Sequence, residues 1–264
     1  ICCGYIMNHI NEEQAIKITE IRCKCISKFN KDRSILVTSE TYEYDLCVKY
    51  FDKYVYYVDH DQNTKDNEIK ISMDGLMTFV SEEKKVIESV ISDNNLNHIC
   101  IACYNNPKGY TISGEKIQVE KLKKILNDTG EIFMKDLNTD SIAYHSPILK
   151  YFEDYLNRQF LDILGDNESI INNKWISTNK SNIHSYKYYS QNIMNSVFFE
   201  QAIGKLEDNY TTIEIGPKSF LNRCVNNINP NIKVFHIINN EQDEKNIDQL
   251  HIKLWKNSFT LNSY

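Results

Sequence analysis

The sequence predicts an α/β fold that holds an inserted ferredoxin-like βαββαβ unit. Three observations carry this. Short apolar runs rich in Val, Ile, Tyr and Phe alternate with segments whose apolar residues recur every three or four positions, the marks of strand and helix. Between Gly75 and Leu137 that alternation runs strand, helix, strand, strand, helix, strand. The chain has 264 residues, 41% of them hydrophobic and 25% charged, close to the globular average and long enough to bury a core without disulfides or metals.

The elements follow in order. Asn11-Glu12-Glu13-Gln14 reads as a capping box, opening a helix to about Lys28. Ala15, Ile18, Cys25 and Phe29 share one face, with Ile21 close by. Ser34 to Thr38 and Lys49 to Val58 read as strands, with a polar loop from Asp59 to Asp66 after them. Leu76 to Val80 is a strand and Glu82 to Ile91 a helix with Val86 and Val90 at i, i+4. His98 to Tyr104 is a strand, Asn105 to Gly109 a turn, and Tyr110 to Ser113 a strand. Glu115 to Asn127 is a helix with Ile117, Leu122, Ile125 and Leu126 apolar, and Glu131 to Leu137 a strand. Ser146-Pro147 opens the next helix, Ser as N-cap and Pro at N1, with Leu149, Phe152, Leu156, Phe160 and Ile163 as its buried stripe. Trp175 to Thr178, Tyr210 to Ile215 and Ile232 to Ile238 read as strands. Helices are expected over Ser219 to Asn226 and Asp243 to Trp255.

Composition excludes several functions. There are 30 basic and 36 acidic residues, a net charge of −6, which argues against a coat for nucleic acid or anionic membrane. No apolar run approaches the roughly 20 residues of a membrane span. Ile1 to Met7 is apolar but has no basic flank and no cleavage site, so it is no signal peptide. Without an initiator Met, the sequence is expected to start inside a longer protein. Eight cysteines fall at 2, 3, 23, 25, 47, 100, 103 and 224. With no secretory signal they are expected to be reduced, and the protein cytoplasmic. Cys100-Ile-Ala-Cys103 lies in a strand, where positions three apart face opposite ways, and no second pair completes a zinc site. Asp59-His60-Asp61 offers too few oxygen ligands for a hard cation. No metal is predicted.

The βαββαβ order also belongs to RNA-binding RRM domains, and Lys108-Gly109-Tyr110 resembles the start of their RNP1 signature. The following Thr-Ile-Ser-Gly lacks the aromatics that stack bases. Residues 74–137 also carry 8 basic and 10 acidic side chains, a net charge that repels phosphate.

Two residues stand out chemically. Arg22 falls on the apolar stripe of its helix, where a guanidinium needs an anionic partner or a wet cleft. It reads either as half of a salt bridge or as an anchor for a substrate carboxylate. His145 precedes the Ser146 cap, where the positive end of the helix dipole favours neutral imidazole. It reads either as a capping or core histidine or as a general base.

Six motifs in order resemble the acyltransferase domain of type I polyketide and fatty-acid synthases, the malonyl-CoA:acyl-carrier-protein transacylase family. Ile1 to Ile6 followed by Asn11 to Ile26 resembles the helices after the family's nucleophile elbow. Gly75-Leu-Met-Thr-Phe-Val80 resembles the GAMAAV strand, and Tyr104 to Gly114 the VNSPxxxVxSG segment. Ala143-Tyr-His-Ser-Pro147 resembles AFHSP, Tyr188 to Phe199 resembles YWxxNLxxPVxF, and Ile213-Glu-Ile-Gly-Pro217 resembles LEIGP. The close at Leu254-Trp255 resembles the LGxLW element of polyketide synthases. The resemblance implies an α/β-hydrolase-like acyltransferase core over 1–73 and 138–264, with residues 74–137 as the ferredoxin-like subdomain. The segment 34–71 has no counterpart of that length in the family.

The implied chemistry is ping-pong acyl transfer. A serine in a GHSxG elbow attacks the malonyl-CoA thioester, and a histidine takes its proton and later activates the phosphopantetheine thiol of an acyl carrier protein. By resemblance His145 is that base, Arg22 pairs with the free carboxylate of the malonyl group, and Asn105 is a pocket asparagine. The Phe198 main-chain carbonyl is the expected partner that orients the imidazole. No Gly-x-Ser-x-Gly occurs in the 264 residues, so the nucleophile is absent and the sequence is expected to be an N-terminally incomplete domain without activity of its own. Ile142-Ala-Tyr-His145 is nearer the malonyl-selective HAFH pattern than YASH, because the aromatic Tyr144 crowds the α-carbon. The resemblance implies no bound cofactor and no nucleic-acid or membrane partner, but a carrier protein and neighbouring synthase domains such as a ketosynthase. A non-catalytic acyltransferase-like scaffold is the alternative.

Overall fold

The computed structural model describes residues 2–31, 34–37, 69–72, 74–171, 173–215 and 219–236. The strand at 49–58, the loop with Asp59-His60-Asp61, the Gly216-Pro217 turn and the helix at 243–255 fall outside the described residues. The chain divides into one unit over 1–104 and 108–198 and a second over 105–107 and from Phe199 onward.

The first unit opens with α1 (Cys2–Ile6) and α2 (Glu12–Lys31). The capping box forms as its sequence requires. The Gln14 N–H donates to Asn11 Oδ1 at 2.8 Å and the Asn11 N–H to Gln14 Oε1 at 2.9 Å, so two orphan donors are satisfied reciprocally. Ile18 and Cys25 are buried, with Ala15 and Ile21 packed beside them. The opposite face carries the i, i+4 pairs Glu13–Lys17 and Glu20–Lys24. The strands β1 (Ser34–Val37) and β2 (Ile69–Ser72) pair antiparallel, Ser34 opposite Ser72.

Next come β3 (Gly75–Val80), α3 (Lys84–Asp93), β4 (Ile99–Asn106), β5 (Gly109–Glu115), α4 (Lys116–Thr129) and β6 (Met134–Asp136). The sheet order is β4-β5-β3-β6, with β3 antiparallel to both neighbours. This is the ferredoxin-like order. Ile87, Val119, Leu122 and Leu126 of the helices pack on Val80, Ile99, Ile101 and Ile112 of the strands. Two helical positions depart from expectation. Val86 and Ile117 face solvent, Ile117 at 72% exposure, while Ile87 and Val119 take the buried places. The apolar stripe is turned by one and two positions respectively, because packing on the sheet decides which face is covered.

The expected helix after Ser146 begins as a 3-10 helix, Pro147–Phe152, and continues as α5 (Glu153–Leu164). Ser146 holds the cap position but does not cap. Its hydroxyl turns back to the Ala143 carbonyl at 2.6 Å. Leu149, Phe152, Leu156 and Phe160 are buried against Ile18 and Tyr189 in the second core. Ile163 is only partly buried.

The strand expected at Trp175 is absent. The ladder is instead the short pair β7 (Ser169–Ile170) and β8 (Ile183–His184). Trp175 sits in an aromatic cluster, 5.2 Å from the Tyr188 ring and 5.7 Å from His9. In that cluster the His184 ring bonds the Tyr189 hydroxyl at 2.9 Å. Helix α6 (Tyr186–Met194) follows. The chain beyond it runs extended, and Val197 bridges Cys103 in parallel.

The second unit holds α7 (Phe199–Ile203), β9 (Thr211–Glu214), α8 (Asn222–Ile228) and β10 (Lys233–His236). β9 and β10 are parallel, Thr211 opposite Lys233, and α8 makes the crossover that parallel pairing requires. The Glu214 carboxylate receives the N–H groups of Phe220 and Leu221 at 2.8 and 3.0 Å. β9 and α8 are each shorter than the sequence suggested. Among the described residues no helix is long and apolar enough to cross a membrane.

Gly75 is the contact that matters for the site. A Cβ there would stand 2.6 Å from the Ala143 nitrogen and 2.7 Å from its Cβ. The Gly75 N–H also donates to the Ser141 carbonyl at 2.9 Å. Strand β3 therefore presses directly on the loop that carries His145. Gly75→Ala is expected to destabilise the protein by about 1–3 kcal/mol through overpacking, read as a lower denaturant midpoint; an unchanged midpoint would contradict this close approach.

Candidate active site

The loop from Thr139 to Ser146 carries most of the site. Asp140, Ser141 and His145 have positive φ, His145 at 57°, a region that costs a side-chain-bearing residue roughly 1–2 kcal/mol. Three bonds fix His145 there. Its N–H donates to the Ile193 carbonyl at 3.0 Å. Its own carbonyl accepts the Cys100 thiol at 3.3 Å. Its Nδ1 lies 3.0 Å from the Asn195 carbonyl oxygen.

That last contact assigns the tautomer. A carbonyl only accepts, so Nδ1 carries the proton and Nε2 keeps its lone pair. Burial lowers the imidazole's pKa and the Arg22 cation lowers it further, while the Asn195 carbonyl opposes them. The direction is the one expected for a neutral imidazole, with desolvation as its largest cause, and the element after His145 begins as a 3-10 helix.

The orienting carbonyl is also a correction. Phe198, expected from the motif, does not fill that role. Its N–H donates to the Thr178 carbonyl at 2.8 Å and its ring stacks on Tyr104 at 5.0 Å. Asn195, the residue after α6, supplies the carbonyl instead.

Arg22, on α2, lines a small apolar cleft together with Cys25, Ile142, Leu149, Phe152, Leu156 and Ile193. Its Nη1 donates to Asn192 Oδ1 at 3.3 Å. Among the described residues no carboxylate lies in ion-pair range of it, so the salt-bridge reading finds no partner there. Burial lowers its pKa, but a guanidinium stays charged throughout the physiological range. Ile142 is 1% exposed and forms part of the cleft wall. Tyr144 is half-buried against the same core. Burial and the neighbouring Asp140 raise its phenol pKa, with Arg22 opposing. Arg22, Ile142, Tyr144 and His145 thus come together. Asn105 stands near the end of β4, in the stretch that groups with the second unit.

Cys100 and Cys103 carry thiols pushed up by burial to about 12 and about 11, far from the thiolate that metals and nucleophilic chemistry need. Sequence reasoning missed Asn192 and Asn195. Asn192 carries a signal, since it occupies the Asn of the YWxxNLxxPVxF resemblance. Asn195 acts through its backbone, which leaves no trace in residue type.

No protein-family model matches the chain. A highly reducing polyketide synthase of Emericella nidulans is 29% identical over 168 residues, 58% of this chain and 7% of that protein. Clavatol synthase of Penicillium crustosum is 24% identical over 198 residues, 69% of this chain and 7% of its own length. The chain therefore matches only about 7% of the length of these two relatives. Among solved structures, the acyltransferase domain from the second module of the salinomycin polyketide synthase superposes with a TM-score of 0.58 at 17% identity, covering 69% of this chain and 44% of that one. The malonyl-CoA:acyl-carrier-protein transacylase of Clostridium perfringens gives 0.55 at 22% identity, covering 70% and 60%. The fold is that of the acyltransferase domains, and the sequence relatives are polyketide synthases.

The electrostatics predict a titration. His145 should titrate below the ordinary histidine value of about 6.5, measured by NMR of its ring. Arg22→Gln should raise that pKa by removing a positive neighbour. Because the folded-state pKa is depressed, the His145 contribution to stability is present above the unfolded pKa and is lost as pH falls through about 6.5 toward the folded value. A His145 pKa above 6.5, or one insensitive to Arg22→Gln, would contradict the geometry.

Proposed function

We propose that this chain is the part of an acyltransferase domain that supplies the general base and the donor-carboxylate anchor for malonyl transfer from CoA to the phosphopantetheine thiol of an acyl carrier protein. The observation that carries the reading is a pair of complementary groups within electrostatic reach of each other. Arg22 offers a guanidinium with no carboxylate partner among the described residues. His145, close enough to feel that charge, has its Nδ1 proton committed to Asn195 and its Nε2 lone pair available.

The mechanism follows from those two groups. The malonyl carboxylate pairs with the Arg22 guanidinium, whose planar fork can bond both oxygens. His145 Nε2 accepts the proton of the attacking serine hydroxyl as the acyl bond forms. The resulting imidazolium stays bonded to the Asn195 carbonyl, then returns its proton to the departing CoA thiolate. The second half runs in reverse order with the carrier's thiol as nucleophile. No resident cofactor or metal is needed. The serine is not among these 264 residues, so the reading requires the native polypeptide to supply it. The carrier protein and neighbouring domains, a ketosynthase among them, would be the partners in a multidomain synthase.

Donor choice rests on Tyr144. The half-buried Tyr144 beside His145 narrows the space at the donor's α-carbon, and a methyl branch there would cost about 1–3 kcal/mol of overpacking. The reading therefore favours malonyl over methylmalonyl.

Two variants of the native polypeptide test this. Arg22→Ala should lower malonyl transfer relative to acetyl transfer by tenfold or more, roughly the loss of a charge-assisted bond. An equal loss for both donors would refute the anchor role, and transfer by neither donor in the folded parent protein would favour the non-catalytic scaffold. Tyr144→Ser should raise methylmalonyl transfer relative to malonyl transfer; an unmoved ratio would refute the steric argument.

A further inference from the structure

We infer that Asn192 is a positioning residue for donor selection, setting the Arg22 guanidinium that chooses a carboxylate-bearing acyl group. The inference rests on the proposed role of Arg22. A guanidinium has five N–H donors in one plane, and Nη1 is committed to Asn192 Oδ1 at 3.3 Å. Because asparagine is neutral, this bond orients the plane without cancelling its charge. The long arginine side chain is ordered before the donor arrives, so that entropy is not lost on binding. Any carboxylate in the same place would orient the guanidinium and also occupy it.

The position of Asn192 gives the bond a second consequence. It lies in the last turn of α6. The next residue, Ile193, accepts the His145 N–H at 3.0 Å, and Asn195 accepts the His145 ring at 3.0 Å. One turn of chain therefore registers the anchor against the base. It is also a helix C-terminus, whose exposed carbonyls and partial negative charge suit both a cation and N–H donors. A donor seated on Arg22 has its thioester set relative to His145 by this turn.

The test compares kcat and KM for malonyl and acetyl transfer by the native polypeptide and its Asn192 variants, with CoA thioesters as donors and a phosphopantetheine thiol as acceptor. Asn192→Asp should close an ion pair onto Arg22 and lower the malonyl-to-acetyl ratio of kcat/KM by at least about tenfold, chiefly through the malonyl KM. Asn192→Leu, which fills the space without an acceptor, should lower the ratio less, and Asn192→Gln, which keeps an acceptor on a longer arm, should restore part of it. A purely structural role would depress both donors together and leave the ratio unmoved. If the parent protein prefers malonyl and neither Asn192→Asp nor Asn192→Leu moves the ratio, the inference is overturned while the reading of Arg22 stands. If the parent has no malonyl preference, that reading falls and the inference with it.

Discussion

The hydrogen bond between the His145 ring and the Asn195 carbonyl is the constraint on which the candidate site depends. It fixes which nitrogen carries the proton, and so leaves Nε2 as the proton acceptor. His145 makes it from the left-handed region at φ 57°, a conformation that local energetics disfavours. The cost is met by the bond from its N–H to Ile193 and the bond from the Cys100 thiol to its carbonyl. Strained backbone of this kind persists when its surroundings over-determine it. Here those surroundings are strand β4, which contributes Cys100, and the end of helix α6.

The ferredoxin-like unit therefore does more than decorate the fold. Its helices cover one face of the sheet with an apolar core. Cys100 of β4 bonds the His145 backbone, and Gly75 of β3 presses on the Ala143 backbone two residues before His145. On the other side, α2 and α5 pack into the second core and place Arg22 beside Ile142 and Ile193. The loop that carries His145 thus lies where the two cores meet, and electrostatics follows from that placement. Desolvation lowers the affinity of His145 for a proton, and the Arg22 charge acts in the same sense. Both effects favour the neutral imidazole.

Much of this was legible in the sequence where the cause is local or periodic. The Asn11–Gln14 capping box is a four-residue signal, and it forms as read. The ferredoxin-like order was visible because each strand and helix in 75–136 has its own apolar pattern. What failed depends on tertiary packing. Trp175 has a strand-like neighbourhood, yet it is drawn into a ring cluster with His9 and Tyr188. Ser146 looks like a cap, yet its hydroxyl turns back to Ala143. Ile117 fits a helical stripe, yet the sheet covers Val119 instead. In the site, Arg22 and His145 were readable from residue type and resemblance. The carbonyl of Asn195 was not, since every residue has one and only the fold decides which is aimed at a ring.

In the proposed reaction His145 and Arg22 serve a serine nucleophile that carries the malonyl group. The most direct test is the intact mass of the native polypeptide after brief exposure to malonyl-CoA, beside a His145→Ala variant. The parent chain should gain one malonyl group, removed by a phosphopantetheine thiol, and the variant should gain little or none. A folded parent chain that takes up no acyl group, or a variant that loads as fast as the parent, would contradict it.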